Sequence, residues 1–112
     1  MEVRTASSPR DVKHYTTDRL REEFLIQNLF VPGEIKMVYS HIDRIITGAA
    51  VPAGETLVLT AGAELRAEYF LQRREMGIIN IGGTGVIAPC SIGFLWIWEE
   101  AKGIIFRSMS VW

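Results

Sequence analysis

A chain of 112 residues supports one domain at most, and 48% hydrophobic with 22% charged residues is an ordinary globular balance. The formal net charge is −1, and the one basic doublet, Arg73-Arg74, is followed at once by Glu75. No nucleic-acid partner is therefore expected, because a polyanion binder needs several uncompensated cations on one face.

The single cysteine, Cys90, rules out a disulfide framework within the chain and points to a reducing compartment. Residues 1–10 carry Glu2, Arg4 and Arg10 and no apolar core, unlike a secretory signal. Residues 1–16 are polar and irregular, which predicts a loose arm or an edge segment. Asp18 can cap a short helix by accepting from its first free N–H groups. Glu22 and Glu23 lie early in that helix, and Leu20 and Phe24, four apart, share one face. Leu25 to Val31 then reads as strand-like.

Pro32-Gly33 is a turn signal. Beyond it the pattern predicts short strands over 36–41, 44–51, 56–60, 66–72, 77–81 and 86–88. Turns are expected at Pro52-Ala53-Gly54, Ala61-Gly62, Met76-Gly77 and Gly82-Gly83-Thr84-Gly85. Many short strands at regular spacing imply a mostly β fold, an antiparallel sandwich or barrel with one short amino-terminal helix. Met76 to Trp98 carries no charge and is long enough to span a bilayer. Its glycines, Pro89 and Asn80 break any continuous helix, so two β runs around a tight glycine hairpin explain it better, and no membrane partner is expected. The dense block Phe94–Trp98, Ile104-Ile105-Phe106 and the closing Val111-Trp112 need core partners or become sticky surface.

Tyr39-Ser40-His41-Ile42-Asp43-Arg44 is the most chemically loaded stretch. An extended strand would turn Tyr39, His41 and Asp43 to one face. His41 and Asp43 could then serve as an acid/base pair or as two metal ligands, with Arg44 beside them. A metal needs a third and usually a fourth ligand, and neither His14 nor Cys90 is placed to supply it, so no metal ligand is assigned. The plainer reading is a structural pair, with Asp43 bonded to neighbouring backbone or to Arg44. Arg73 and Arg74, before a turn, could hold a sugar-acid carboxylate by two parallel hydrogen bonds, or form a solvated hairpin end. Gly82–Gly85 is not a phosphate loop, because Val86-Ile87-Ala88-Pro89 follows where a helix should start. No Gly-x-Ser-x-Gly occurs, and Cys90 has no activating neighbour.

Two segments resemble the 5-keto-4-deoxyuronate isomerase family, also called 4-deoxy-L-threo-5-hexosulose-uronate ketol-isomerase. One is 19–47, with Ser40-His41-Ile42-Asp43-Arg44. The other is 69–87, with Arg73-Arg74-Glu75 and Asn80-Ile81-Gly82-Gly83. The resemblance covers residues 17–88 and divides the chain into a 1–16 arm, a 17–88 amino-terminal cupin-like domain and a divergent 89–112 tail. It implies an incomplete RmlC-like jelly roll and a uronate-derived sugar acid as substrate. The implied reaction interconverts 5-dehydro-4-deoxy-D-glucuronate and 3-deoxy-D-glycero-2,5-hexodiulosonate in pectin and uronate catabolism. It further implies a cytoplasmic homo-oligomer and zinc held by a His-x-His cluster, a Glu and a later His. Those ligands lie in the family's carboxy-terminal domain, and this sequence contains no His-x-His. The expectation is a truncated member that is inactive on its own, with a lost reading frame near residue 89 as one hypothesis for the truncation. A structural, oligomer-forming domain and a metal-free sugar-acid-binding cupin are the alternatives.

Overall fold

The computed structural model describes residues 1–87 together with the backbone of the strands Leu95–Glu99 and Ile104–Ser110. In chain order the elements are β1 Glu2–Arg4, α1 Pro9–Val12, α2 Thr17–Phe24, β2 Ile35–Ser40, β3 Ile46–Ala50, a 3-10 turn Ala63–Leu65, β4 Arg74–Asn80, β5 Leu95–Glu99 and β6 Ile104–Ser110. The fold is thus mostly β, with few helices.

The amino-terminal segment is more ordered than an irregular arm. Residues 2–4 form an edge strand, and residues 9–12 a single helical turn with Pro9 at its start and Ser8 as its cap. In α2 the cap is Thr16 rather than Asp18. The Thr16 hydroxyl accepts from the Arg19 N–H at 3.4 Å, and Asp18 falls in the first turn, where its charge suits the positive helix end. Leu25 leaves the helix in extended conformation, but the stretch to Val31 pairs with no strand. Its anchor is the Arg4 guanidinium. Nη1 of Arg4 donates to the carbonyls of Glu23 (3.3 Å) and Leu25 (3.0 Å), two groups left without partners at the helix end, and Nε reaches Glu2 at 2.7 Å.

The Pro32-Gly33 turn forms as the sequence requires. Gly33 has φ +78°, its N–H donates to the Val51 carbonyl at 2.7 Å, and that closes the base of the β2–β3 hairpin. The sheet order is β1-β2-β3-β6-β4-β5. The three inner pairings, β2·β3, β3·β6 and β4·β6, are antiparallel; the two outer ones, β1·β2 and β4·β5, are parallel. The sheet is therefore mixed and not purely antiparallel. Gly77 lies inside β4, paired with Trp96 on one side and Arg107 on the other, so Met76-Gly77 is strand and not turn. Because β5 runs parallel to β4, the glycine segment after β4 does not close a hairpin onto it. It is an Asn-based turn instead, in which the Asn80 side chain accepts from the Gly82 N–H (3.0 Å) and donates to the Gly83 carbonyl (3.2 Å).

The main hydrophobic cluster lies on one face of this sheet, while Val38 and Ala49 are buried on the other. Tyr39, Ile46, Met76 and Ile78 are buried in that cluster with Phe70, and Ile35, Met37, Leu59, Leu65, Leu71 and Ile87 pack around them. The register explains the set, since Tyr39 pairs with Ile46, and Met76 and Ile78 alternate on β4. The layer over that face is irregular among the described residues. Residues 56–60 and 66–72 form no strand; they lay Leu59, Phe70 and Leu71 individually onto the core. The 3-10 turn and the left-handed Arg66 that ends it, φ 46°, break any extended run. A second turn, with the Glu68 N–H on Gln72 Oε1 at 2.8 Å and the Gln72 N–H on the Tyr69 carbonyl at 3.2 Å, does the same at 68–72. Val86 and Ile87 likewise form no strand. No helix among the described residues is long and apolar enough to cross a membrane. Cys90 and the side chains of the Phe94–Trp98 block lie outside the described residues, and of the 89–112 tail only the backbone of β5 and β6 is described.

Candidate functional site

The chemically loaded stretch sits at the β2–β3 connection. Regular alternation ends at Ser40, the last residue of β2. The Ser40 N–H donates to the Ile45 carbonyl at 2.8 Å, and its hydroxyl accepts from the Ile42 N–H at 3.2 Å, so His41–Arg44 turn back at once. Asp43 and Arg44 both take left-handed conformations, φ 54° and 52°. That region disfavours side chains other than glycine, with Asp tolerated better than Arg.

This turn separates the expected acid/base pair. His41 remains with Tyr39 as period-two spacing requires, their ring centroids 5.0 Å apart and the planes at 64°, edge to face. The His41 N–H donates to the Arg4 carbonyl at 2.9 Å, which extends the β1 pairing by one step. Asp43 departs from that face, because the chain is no longer extended when it reaches position 43. It lines a shallow cleft with Arg4 of β1, with Val38 and Ser40 on the opposite face of β2, and with Glu23 and Phe24 at the end of α2. Among the described residues the Asp43 side chain makes no hydrogen bond or ion pair, with Arg44 or with any other group, so the structural His41–Asp43 pair is not formed either.

The two arginines also part. Arg73 is exposed in the turn before β4. Arg74, the first residue of β4, is half-buried and turns inward. Its Nη1 donates to the Arg44 carbonyl at 3.1 Å, and its guanidinium carbon lies 5.3 Å from the centre of the Tyr39 ring. The structure thus gathers Tyr39, His41, Arg44 and Arg74 at one end of the sheet and leaves Asp43 and Arg73 outside that contact set. Tyr39 was not among the candidate residues on sequence grounds. Its two-residue spacing from His41 is the signal that finds it, whereas nothing local in the sequence connects Arg74 with Arg44 across thirty positions. Arg4 likewise has no sequence signal for its role.

Chemically, the cleft of about 260 Å³ is walled mainly by apolar side chains. Its charges are the carboxylates of Asp43 and Glu23 and the Arg4 guanidinium, which is already held by Glu2 and two carbonyls. That sign does not suit an anionic sugar acid. No three His, Cys, Asp or Glu side chains gather among the described residues, so these residues do not fit a metal centre.

No protein-family model matches the sequence. Curated relatives match it closely. The 4-deoxy-L-threo-5-hexosulose-uronate ketol-isomerase of Lachnoclostridium phytofermentans is 79% identical over 87 residues, which is 78% of this chain and 32% of that protein. The enzyme of the same name from Halalkalibacterium halodurans is 60% identical over 87 residues, again 78% of this chain and 32% of that protein. An Enterococcus faecalis ketol-isomerase of this name is 48% identical over 115 aligned residues, covering 96% of this chain and 42% of that protein. At such identity the shared stretch carries one fold and one set of core positions, and the chain belongs to the 4-deoxy-L-threo-5-hexosulose-uronate ketol-isomerase family, spanning about a third of the length of the first of these relatives.

Proposed function

We propose that this chain is part of a sugar-acid ketol-isomerase that interconverts 5-dehydro-4-deoxy-D-glucuronate and 3-deoxy-D-glycero-2,5-hexodiulosonate in the cytoplasmic breakdown of pectin-derived uronates. The observation that carries the reading is the 79% identity over 87 residues to a ketol-isomerase. The cupin-like jelly roll and the homo-oligomer belong to the same proposal. The mostly β sheet is consistent with the first.

Ketol isomerisation moves a proton between carbons beside a carbonyl. It needs a base for that proton and a group that stabilises the enediolate oxygen. Among the described residues no hydrogen bond joins His41 to Asp43; His41 contacts the Tyr39 ring, whereas Asp43 lines the cleft beside α2, which speaks against the two acting as one base. The zinc that the family resemblance implies does not fit the described residues. Its ligands are assigned to the family's carboxy-terminal domain. The described part of the chain then serves as scaffold, with the His41–Arg44 turn and Arg74 in a structural network, and the separation of His41 from Asp43 supports this over a local catalytic pair.

A chimera tests the proposal. Residues 17–87 of this chain replace the matching segment of the Lachnoclostridium phytofermentans enzyme, and conversion of 5-dehydro-4-deoxy-D-glucuronate is followed by NMR. Turnover close to the parent's is expected, while the purified 112-residue chain alone should show none. A chimera that folds and assembles like the parent yet has no turnover would sink the isomerase reading for this segment. Zinc-dependent turnover by the 112-residue chain would overturn the scaffold role.

A further inference from the structure

Arg74 offers itself in the sequence as a carboxylate fork, but the fold commits it internally. We propose that Arg74 is a positioning residue: its guanidinium, bonded to the Arg44 carbonyl and laid over Tyr39, locks the left-handed Asp43-Arg44 turn to the head of β4 and so fixes where His41 is presented.

Two consecutive non-glycine residues at φ 54° and 52° persist only where surrounding contacts hold them. Two hydrogen bonds are internal to the hairpin end, Ser40 N–H to Ile45 O and Ile42 N–H to Ser40 Oγ. Among the described residues, contacts also come from outside it on each shoulder. On the near shoulder the Arg4 carbonyl accepts from the His41 N–H at 2.9 Å. On the far shoulder the Arg74 guanidinium donates to the Arg44 carbonyl at 3.1 Å. The second contact is a charge-assisted bond to a part-buried carbonyl, and such bonds are the stronger kind. Stacking fixes its direction, since the cation lies 5.3 Å from the centroid of buried Tyr39, inside the range where ring and cation attract. The Tyr39 ring also meets the edge of His41 at 5.0 Å. Arg74, Tyr39 and His41 therefore form one series of contacts, headed by a group that both donates to the Arg44 carbonyl and lays its charge over the ring. Lysine can donate to the carbonyl but cannot stack its charge as a plane.

This inference goes beyond the isomerase reading and is tested without it. Amide hydrogen exchange and imidazole proton shifts are measured by NMR on the 112-residue chain and on Arg74→Ala, Arg74→Lys and, as a charge-removal control on α1, Arg10→Ala. In Arg74→Ala the Ser40 amide, which closes the turn, should exchange roughly tenfold faster relative to the Ala49 amide in mid-β3, and the His41 ring protons should lose the shift that Tyr39 gives them. Arg74→Lys keeps charge and one donor, should stay folded, and should show a smaller rise of about threefold. Arg10→Ala should change neither ratio nor shift. If the Ser40-to-Ala49 exchange ratio and the His41 shifts in both Arg74 variants match those of Arg10→Ala, the proposal is wrong.

Discussion

The two faces of β2 do different work, although they alternate residue by residue. Tyr39 faces inward onto Ile46, Phe70, Met76 and Ile78 and is covered by a whole layer of irregular chain. Val38 and Ser40 face the other way, toward α2; Val38 is itself buried, but the outer cover there is one short helix beside an open cleft. Phe24 on that helix remains 48% exposed, and Ile42 at the rim 51%. A covered face is specified by volume and apolarity. The exposed rim of the other face is specified by where a few polar groups are tied down, such as Arg4 on the helix-end carbonyls.

The largest test of that contrast compares a residue from each side. Ile46 is 0% exposed, so Ile46→Ala should cost about 2–5 kcal/mol by lost burial and the cavity left behind. Phe24→Ala, although it removes more atoms, should cost less than about 1.5 kcal/mol, because half of its surface is already in water. Urea unfolding of both variants gives the difference, and equal losses would show that the α2 side is as tightly covered as the core. A middle-sized effect belongs to Arg4→Ala, which frees two carbonyls at the end of α2. It should cost about 1–3 kcal/mol and raise hydrogen exchange in α2 more than in β4. The smallest effect sits in the covering layer. Arg66 is exposed at φ 46°, so Arg66→Gly should stabilise by up to about 1 kcal/mol, read as a small rise in Tm. A loss instead would show that the Arg66 side chain contributes to holding that layer in place.

The same contrast separates what the sequence discloses from what it hides. Residues 35–40 and 46–50 announce themselves by alternation and by the turn signal at Pro32-Gly33, and β4 is found with its start three residues late. Residues 56–60 and 66–72 carry the same apolar density, yet they cover the core without pairing, because contact with a sheet face rewards apolar residues whether or not the backbone is extended. The candidate site was legible as a set of residue types. Its geometry was not, since one turn at Ile42–Arg44 reverses the side that Asp43 takes, and the Arg74–Arg44 bond joins positions remote in the chain. Parallel pairing at both ends of the sheet was equally hidden, because nothing in the composition of β1 or β5 sets direction.

The strand order carries one more consequence, for the path of folding. β6, the latest of the six strands in sequence, lies between β3 and β4 at the middle of the sheet. During synthesis β3 and β4 therefore leave the ribosome with the edges that will face β6 unpaired, and they cannot join through it until residues 104–110 arrive. Closing a loop of that length is slow compared with forming a local hairpin, and open strand edges attract other chains in the interval. The β2–β3 hairpin can form early and alone. The junction that unites it with β4 must wait, so the growing polypeptide passes through a stage in which its two halves hold separate, incomplete ladders.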